Sequence, residues 1–217
     1  RGGGGNADEQ GQFTLKTFPR IYLDADIEVS PDLVGGLSNA LQLDTPAAAW
    51  SNVRYDMSGV GWPVRAFYRV WGAMPYNRPG RIGVGVYAMN SAGRAKFGEF
   101  PEIVSDDGYV RGMFGEGERI IVEACYTRVK PPRTLASLVA VRTRSRLGAY
   151  ELREKHPDVL ARHHDSTTYG WQDYGKLLQP ATLASFPLYA AITFLTKRRA
   201  RLRYQQQSIH HWDRDAS

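Results

Sequence analysis

Apolar and polar positions along the chain switch between two periods, and each period marks an element. Ile21-Tyr22-Leu23 is a short β-prone run after Pro19 that ends on Asp24-Ala25-Asp26. It is too short for a helix and reads as a buried strand. Ser30-Pro31-Asp32 then supplies an N-cap hydroxyl, a proline at the first helical position and a first-turn acid. Leu33, Val34, Leu37, Ala40 and Leu41 follow at helical spacing, which predicts a helix over 32–43. Val53, Tyr55 and Met57 alternate as a strand does, and Val64, Phe67, Val70 and Trp71 share one face of a helix over 63–74.

The second half repeats the theme. Residues 82–88 predict a strand whose Gly83 and Gly85 mark close approach of another backbone or of a ligand. Residues 90–93 read as a turn and 94–97 as a short helical piece. Ile103-Val104 is again β-branched, ends on Ser105-Asp106-Asp107, and leads into a helix over 108–114. Residues 119–128 alternate as a strand, with Ile121, Glu123 and Cys125 on one face and Ile120, Val122, Ala124 and Tyr126 on the other. Pro131 and Pro132 break the chain, and Thr134 caps a helix over 135–151. Residues 155–173 are polar and irregular. Residues 177–196 carry no charge and run straight into the basic stretch 197–203. Strand, acids and helix in succession predict an α/β fold with a mixed sheet flanked by helices. In open α/β sheets the carboxyl ends of strands bind ligands.

Composition narrows this picture. The 217 residues are 42% hydrophobic, enough for one core-bearing domain with appendages. Expected divisions are 1–152 for the α/β domain, 153–176 for a polar connector and 177–217 for a membrane-proximal helix with a basic tail. The chain opens on Arg1 and a glycine-rich stretch without an initiator Met, as a piece of a longer protein would. A single cysteine, Cys125, excludes a disulfide framework and a cysteine-rich zinc site. The net charge of +6 is concentrated in 128–146, with six basic residues and no acid, and in 197–203, with five. Two local anionic partners fit that distribution better than a uniformly basic nucleic-acid surface, so no nucleic-acid partner is expected.

Asp24 and Asp26, one residue apart on an extended chain, point their oxygens the same way and suit a hard divalent cation that also holds phosphates. A loop with two solvated acids is the plainer alternative. Asp106 and Asp107 stand at a helix start, where capping alone is the competing role. Arg142 and Arg146 share a helix face and Arg144 lies roughly opposite; they fit phosphate contacts, or a solvated or membrane-facing basic face. Adjacent His163-His164 point apart and read as surface. Trp171 and Tyr174 suit sugar stacking or a membrane interface. The uncharged 177–196 run is close to the length of about 20 residues that spans a bilayer. With its flanking arginines it fits anionic lipid on the cytoplasmic side, or a core helix with a basic end.

Four stretches in this order resemble the C-terminal two-thirds of the catalytic domain of a family-two glycosyltransferase of GT-A fold, of bacterial membrane-associated type. They are 19–30 around Asp24-Ala25-Asp26, 83–98 (GVGVYAMNSAGRAKFG), 100–111 around Ser105-Asp106-Asp107, and 132–152 with its arginines; Trp212-Asp213-Arg214-Asp215-Ala216-Ser217 resembles the end of such chains. The resemblance covers roughly 18–152 and implies that the N-terminal strands of the fold, with the uracil and ribose pocket, are missing here. It implies that Asp24 and Asp26 hold Mg²⁺ or Mn²⁺ against the donor diphosphate, and that Asp106-Asp107 is the acidic pair, with Asp107 the general base. Arg142, Arg144 and Arg146 fall where a Gln-x-x-Arg-Trp motif contacts pyrophosphate in polysaccharide-making relatives. Here there is no such Gln, and Leu147 follows Arg146 in place of Trp, which speaks against processive synthesis. The implied activity is inverting transfer from a nucleotide-sugar, a UDP-sugar first, to a glycan or lipid-linked acceptor in cell-surface glycan or glycolipid synthesis. Its place would be the cytoplasmic face of the cell membrane, peripheral or single-pass. The contrasting expectation is a non-catalytic basic module binding membranes or polyanions, or an inactive relative.

Overall fold

A computed structural model of the chain describes residues 17–24, 27–77, 85–162 and 171–206. Asp26, the glycine-rich start, residues 82–84 of the expected strand, the His163-His164 pair and the 212–217 end lie outside them. The chain divides into two compact units that interleave along the sequence. One comprises Arg1–Arg54, Pro79–Val129 and Glu151–Asp165; the other comprises Tyr55–Arg78, Lys130–Tyr150 and Ser166–Ser217.

The first unit is α/β. Its strands β1 (Arg20–Leu23), β2 (Ala48–Tyr55), β3 (Val86–Met89) and β4 (Arg119–Val129) form an open mixed sheet in the order β1-β3-β2-β4. Both β1 and β2 pair antiparallel with β3, Ile21 and Ala49 each facing Ala88. They therefore run the same way and end at the same edge of the sheet. Among the described residues β1 is an outer strand, and it is half-buried to exposed at Leu23 rather than buried as its apolar run predicts.

Both faces of this sheet are covered. Val86 and Ala88 enter a core with Leu33, Leu37 and Cys125, while Tyr87 and Met89 enter another with Trp50, Phe97, Val110 and Phe114. A strand buried on both faces reads as an apolar run with no polar alternation, which is why β3 shows none. Helix α1 (Pro31–Ala40) supplies the first core through Leu33 and Leu37. Between β3 and β4 come the one-turn helix α3 (Ser91–Arg94) and α4 (Asp106–Met113). Helix α4 and the later α6 (Pro157–Arg162) bring Val110, Met113 and Val159 to the second core.

Several expectations are corrected. Residues 90–93, expected as a turn, form the start of α3 because Asn90 is a buried cap. Its Oδ1 accepts from Ala47 N–H (3.1 Å) and Gly93 N–H (2.8 Å), and its Nδ2 donates to the carbonyls of Leu43 and Thr45, both at 2.8 Å. The alternation in β4 slips phase at the exposed Glu123 and Ala124, so that Ile121 and Cys125 enter opposite cores. The polar stretch over 155–173 is not irregular throughout: it contains α6 and the start of a 3-10 helix at Trp171–Leu178.

The second unit is helical, built from α2 (Trp62–Ala73), most of α5 (Leu135–Lys155) and α7 (Pro180–Gln205). Phe67, Val64, Leu138, Val139, Tyr189 and Ile192 form its core. The uncharged run is thus part of α7, which buries Thr182, Ser185, Tyr189, Ile192, Thr196 and Ala200 along one face. No helix among the described residues is long and apolar enough to cross a membrane. Threonines, serine and two prolines lower the apolarity of α7 below what spanning requires.

Candidate functional site

Asp24 is the first residue beyond β1. Its N–H donates to the Gly85 carbonyl (2.8 Å), and its own carbonyl accepts the Ile27 N–H (3.1 Å), folding the strand end back over the start of β3. Gly85 has φ +71°, and a Cβ there would fall 3.0 Å from Asp24 Oδ2 and 2.8 Å from Ile27 Cδ1. Glycine is required twice over, for the left-handed backbone and for the room the carboxylate occupies. The close approach predicted at Gly85 is therefore made by Asp24 and Ile27; Gly83 lies outside the described residues.

Asp106 and Asp107 open α4. Asp106 Oδ1 accepts the Asp107 N–H (2.9 Å), and Asp107 Oδ1 accepts the Gly108 N–H (2.7 Å) and the Ser105 hydroxyl (3.1 Å). Ser105 occupies the N-cap position without a side-chain capping bond. Burial first, then the charge of Asp107 and, more weakly, that of Asp24, push the Asp106 carboxyl from the usual 3.8 up to about 6, against the pull of two backbone N–H groups. Asp106 is thus desolvated and feels Asp24, whereas Asp107 is exposed.

Glu151 is a functional candidate that the pattern of residues did not single out. Its carboxylate is buried; Oε2 accepts the Val104 N–H (2.9 Å) and Oε1 pairs with Lys155 Nζ (2.7 Å). It pins the segment that delivers Ser105, Asp106 and Asp107. The spacing of Glu151 and Lys155, one helical turn apart, was the available signal, but that spacing usually marks a solvated pair.

Asp24 and Asp106 offer hard oxygen donors whose mutual repulsion a divalent cation would relieve, so the donor chemistry fits Mg²⁺ or Mn²⁺. Among the described residues no three acidic, histidine or cysteine side chains converge as a metal-holding group, and Asp26 is outside those residues.

The arginines belong to the second unit, apart from the unit that groups Asp24, Asp106 and Asp107. Arg142 is half-buried, with its guanidinium 5.4 Å from the Trp71 ring centre and 5.9 Å from that of Phe67, and its buried Nε has no hydrogen-bond partner. Burial pushes the nearby Tyr55 and Tyr68 phenols up, and the Arg142 charge opposes that rise. Arg146 donates from Nε to Thr196 Oγ1 (3.1 Å). Arg144 is exposed. Aromatic faces lie beside the Arg142 guanidinium and a hydroxyl accepts from Arg146, so cation–π and hydrogen-bond attraction contribute to placing these two. Tyr174 is half-buried in the 3-10 helix.

Compared with known proteins, the chain matches no family model, no curated sequence and no solved structure.

Proposed function

We propose that the chain is the C-terminal two-thirds of a GT-A catalytic domain of the family-two glycosyltransferases, acting at the cytoplasmic face of a bacterial cell membrane. The reaction is inverting transfer of a sugar from a nucleotide-diphosphate donor, a UDP-sugar first, to a glycan or lipid-linked acceptor hydroxyl. The observation that carries this reading is Asp24. It sits at the carboxyl end of β1, over a glycine that admits no Cβ, and within electrostatic reach of Asp106.

Asp24, with Asp26, would hold Mg²⁺ or Mn²⁺, which supplies charge neutralisation for the departing diphosphate. Asp107, the exposed member of the acidic pair, takes the acceptor proton as its oxygen attacks the anomeric carbon. Asp106, desolvated beside Asp24, belongs on the donor side. Glu151 acts as a positioning residue through the Val104 N–H. Arg142, Arg144 and Arg146 are the candidates for phosphate contact, without a ranking among them; Arg142 lies against Trp71 and Phe67, and Arg146 donates to Thr196.

The test is manganese-dependent UDP release from UDP-sugars by the full-length protein. Asp24→Asn and Asp107→Asn should each lower it at least a hundredfold. Release that is unaffected by both changes, or by chelation, overturns the reading. A second reading, a non-catalytic polyanion-binding module, draws on the exposed basic stretch 197–203. It requires binding that falls steeply with salt and ignores metal.

A further inference from the structure

Helix α7 buries one stripe, at Thr182, Ser185, Tyr189, Ile192, Thr196 and Ala200. The opposite stripe of an ordinary surface helix is charged or polar. Here it is Leu183, Pro187, Ala190 and Phe194, at helical spacing, and all four are exposed, Phe194 by 69%. Leu195 and Phe186 flank it, and the helix has no charge before Lys197. Trp62 on α2, 74% exposed, lines a shallow groove with Ala181, Ala184 and Leu188 and so adds an aromatic ring beside the same helix. The next two turns reverse the chemistry: Lys197, Arg198, Arg199 and Arg201 are exposed, with no acid between them.

We infer that α7 is an in-plane anchor for an anionic lipid surface. Leu183, Phe194 and Trp62 would enter the headgroup–acyl boundary, and residues 197–203 would meet lipid phosphates. An apolar stripe too weak to span, continued by a basic end, is what interfacial helices use. A second copy of the chain fits the surface less well, since residues 180–206 carry no acid and α7 of a partner copy would offer the basic end no anionic counterpart. The inference rests on the membrane-face part of the proposed function and is independent of sugar transfer.

The full chain is to be sedimented with vesicles of phosphatidylcholine alone and of phosphatidylcholine with phosphatidylglycerol. Binding should be at least tenfold tighter to the anionic vesicles, with a blue-shifted emission component that Trp62→Phe removes. The pair Leu183→Glu and Phe194→Glu should weaken binding at least tenfold, and so should the triple change Arg198→Glu, Arg199→Glu and Arg201→Glu. These positions are exposed, so circular dichroism and melting should not change. Three results overturn the inference: no vesicle binding, binding insensitive to Leu183→Glu and Phe194→Glu, or a dimer broken by Phe194→Glu in the absence of lipid binding. UDP release from the same samples reads the catalytic proposal separately, and its failure alongside retained vesicle binding overturns sugar transfer alone.

Discussion

At the start of α1, Ser30 Oγ accepts the Leu33 N–H at 3.2 Å, Pro31 follows, and Asp32 completes an N-terminus built from local parts. At the start of α4, Ser105 occupies the equivalent position, yet its hydroxyl donates to Asp107 and the first-turn acids take up their neighbours' N–H groups themselves. The two helix starts differ in what surrounds them. Around α1 the chain is exposed, so the local hydrogen bond decides. Asp106 is desolvated and lies within reach of the charges of Asp107 and Asp24, while Glu151 pins the segment ahead of it. One start is a cap. The other is an arrangement of charge held by distant parts of the chain, the kind that functional sites carry at some cost in stability.

Removing the distant support should separate the two most strongly. Glu151→Ala leaves the Val104 N–H without its acceptor and opens a gap beside Lys155, and should destabilise the protein by about 3 kcal/mol in urea unfolding. Hydrogen exchange should quicken across 104–109 and stay unchanged across 30–36.

Asp106→Asn should act in the opposite direction. With its folded value raised to about 6 from 3.8, Asp106 holds its proton more firmly folded than unfolded. Between those values the native state binds more protons, so stability falls as pH rises from about 4 to about 6. The loss is complete above that window and absent below it. The asparagine variant should be more stable by about 3 kcal/mol at pH 8, equal to the parent near pH 3, and free of this slope. UDP release should be lost in the same variant. An unchanged pH profile of stability would remove the argument that Asp106 is strained by its surroundings.

Glycines extend the comparison into the helix bodies. A Cβ on Gly112 of α4 would intrude on the Val159 side chain, whereas one on Gly35 of α1 would meet nothing. Gly112→Ala should cost about 1.5 kcal/mol through overpacking. Gly35→Ala should gain about 0.5–1 kcal/mol from helix propensity. Thermal melts of the two variants should move in opposite directions.

The smallest contrast lies in the serines. Ser30→Ala should cost about 1 kcal/mol through the lost cap. Ser105→Ala, which removes no capping bond, should stay within about 0.5 kcal/mol. Equal losses would mean that Ser105 caps α4 in solution.

Local grammar was legible where it met no competition. The run Ile21-Tyr22-Leu23, the Ser30-Pro31 start and the helical spacing of Val64, Phe67 and Val70 all correspond to elements at the expected places. Misreadings came where a residue's partner is far along the chain. Asn90 looked like a turn residue because its four hydrogen-bond partners include Leu43, Thr45 and Ala47. The slip in β4 is invisible to a period-two count, since it depends on which core each side chain enters. The length and lack of charge of 177–196 were plain; that one stripe packs in a helical core and the opposite stripe stays bare was not.

By itself, then, the sequence determined the alternation of strand and helix, the acids that close the β1 and β3–α4 segments, and the basic stretch that ends α7. Hydrophobic period, capping chemistry and charge are properties of neighbouring residues, and a linear reading reaches them. Tertiary structure alone decided that Gly85 makes room for Asp24, that Asp106 and not Asp107 is the desolvated acid, and that Glu151 holds their approach. It also decided that Arg142 and Arg146 rest against aromatic rings and Thr196. Each of these depends on burial and on charges brought together across tens of residues, and desolvation exists only once the chain has folded around the group.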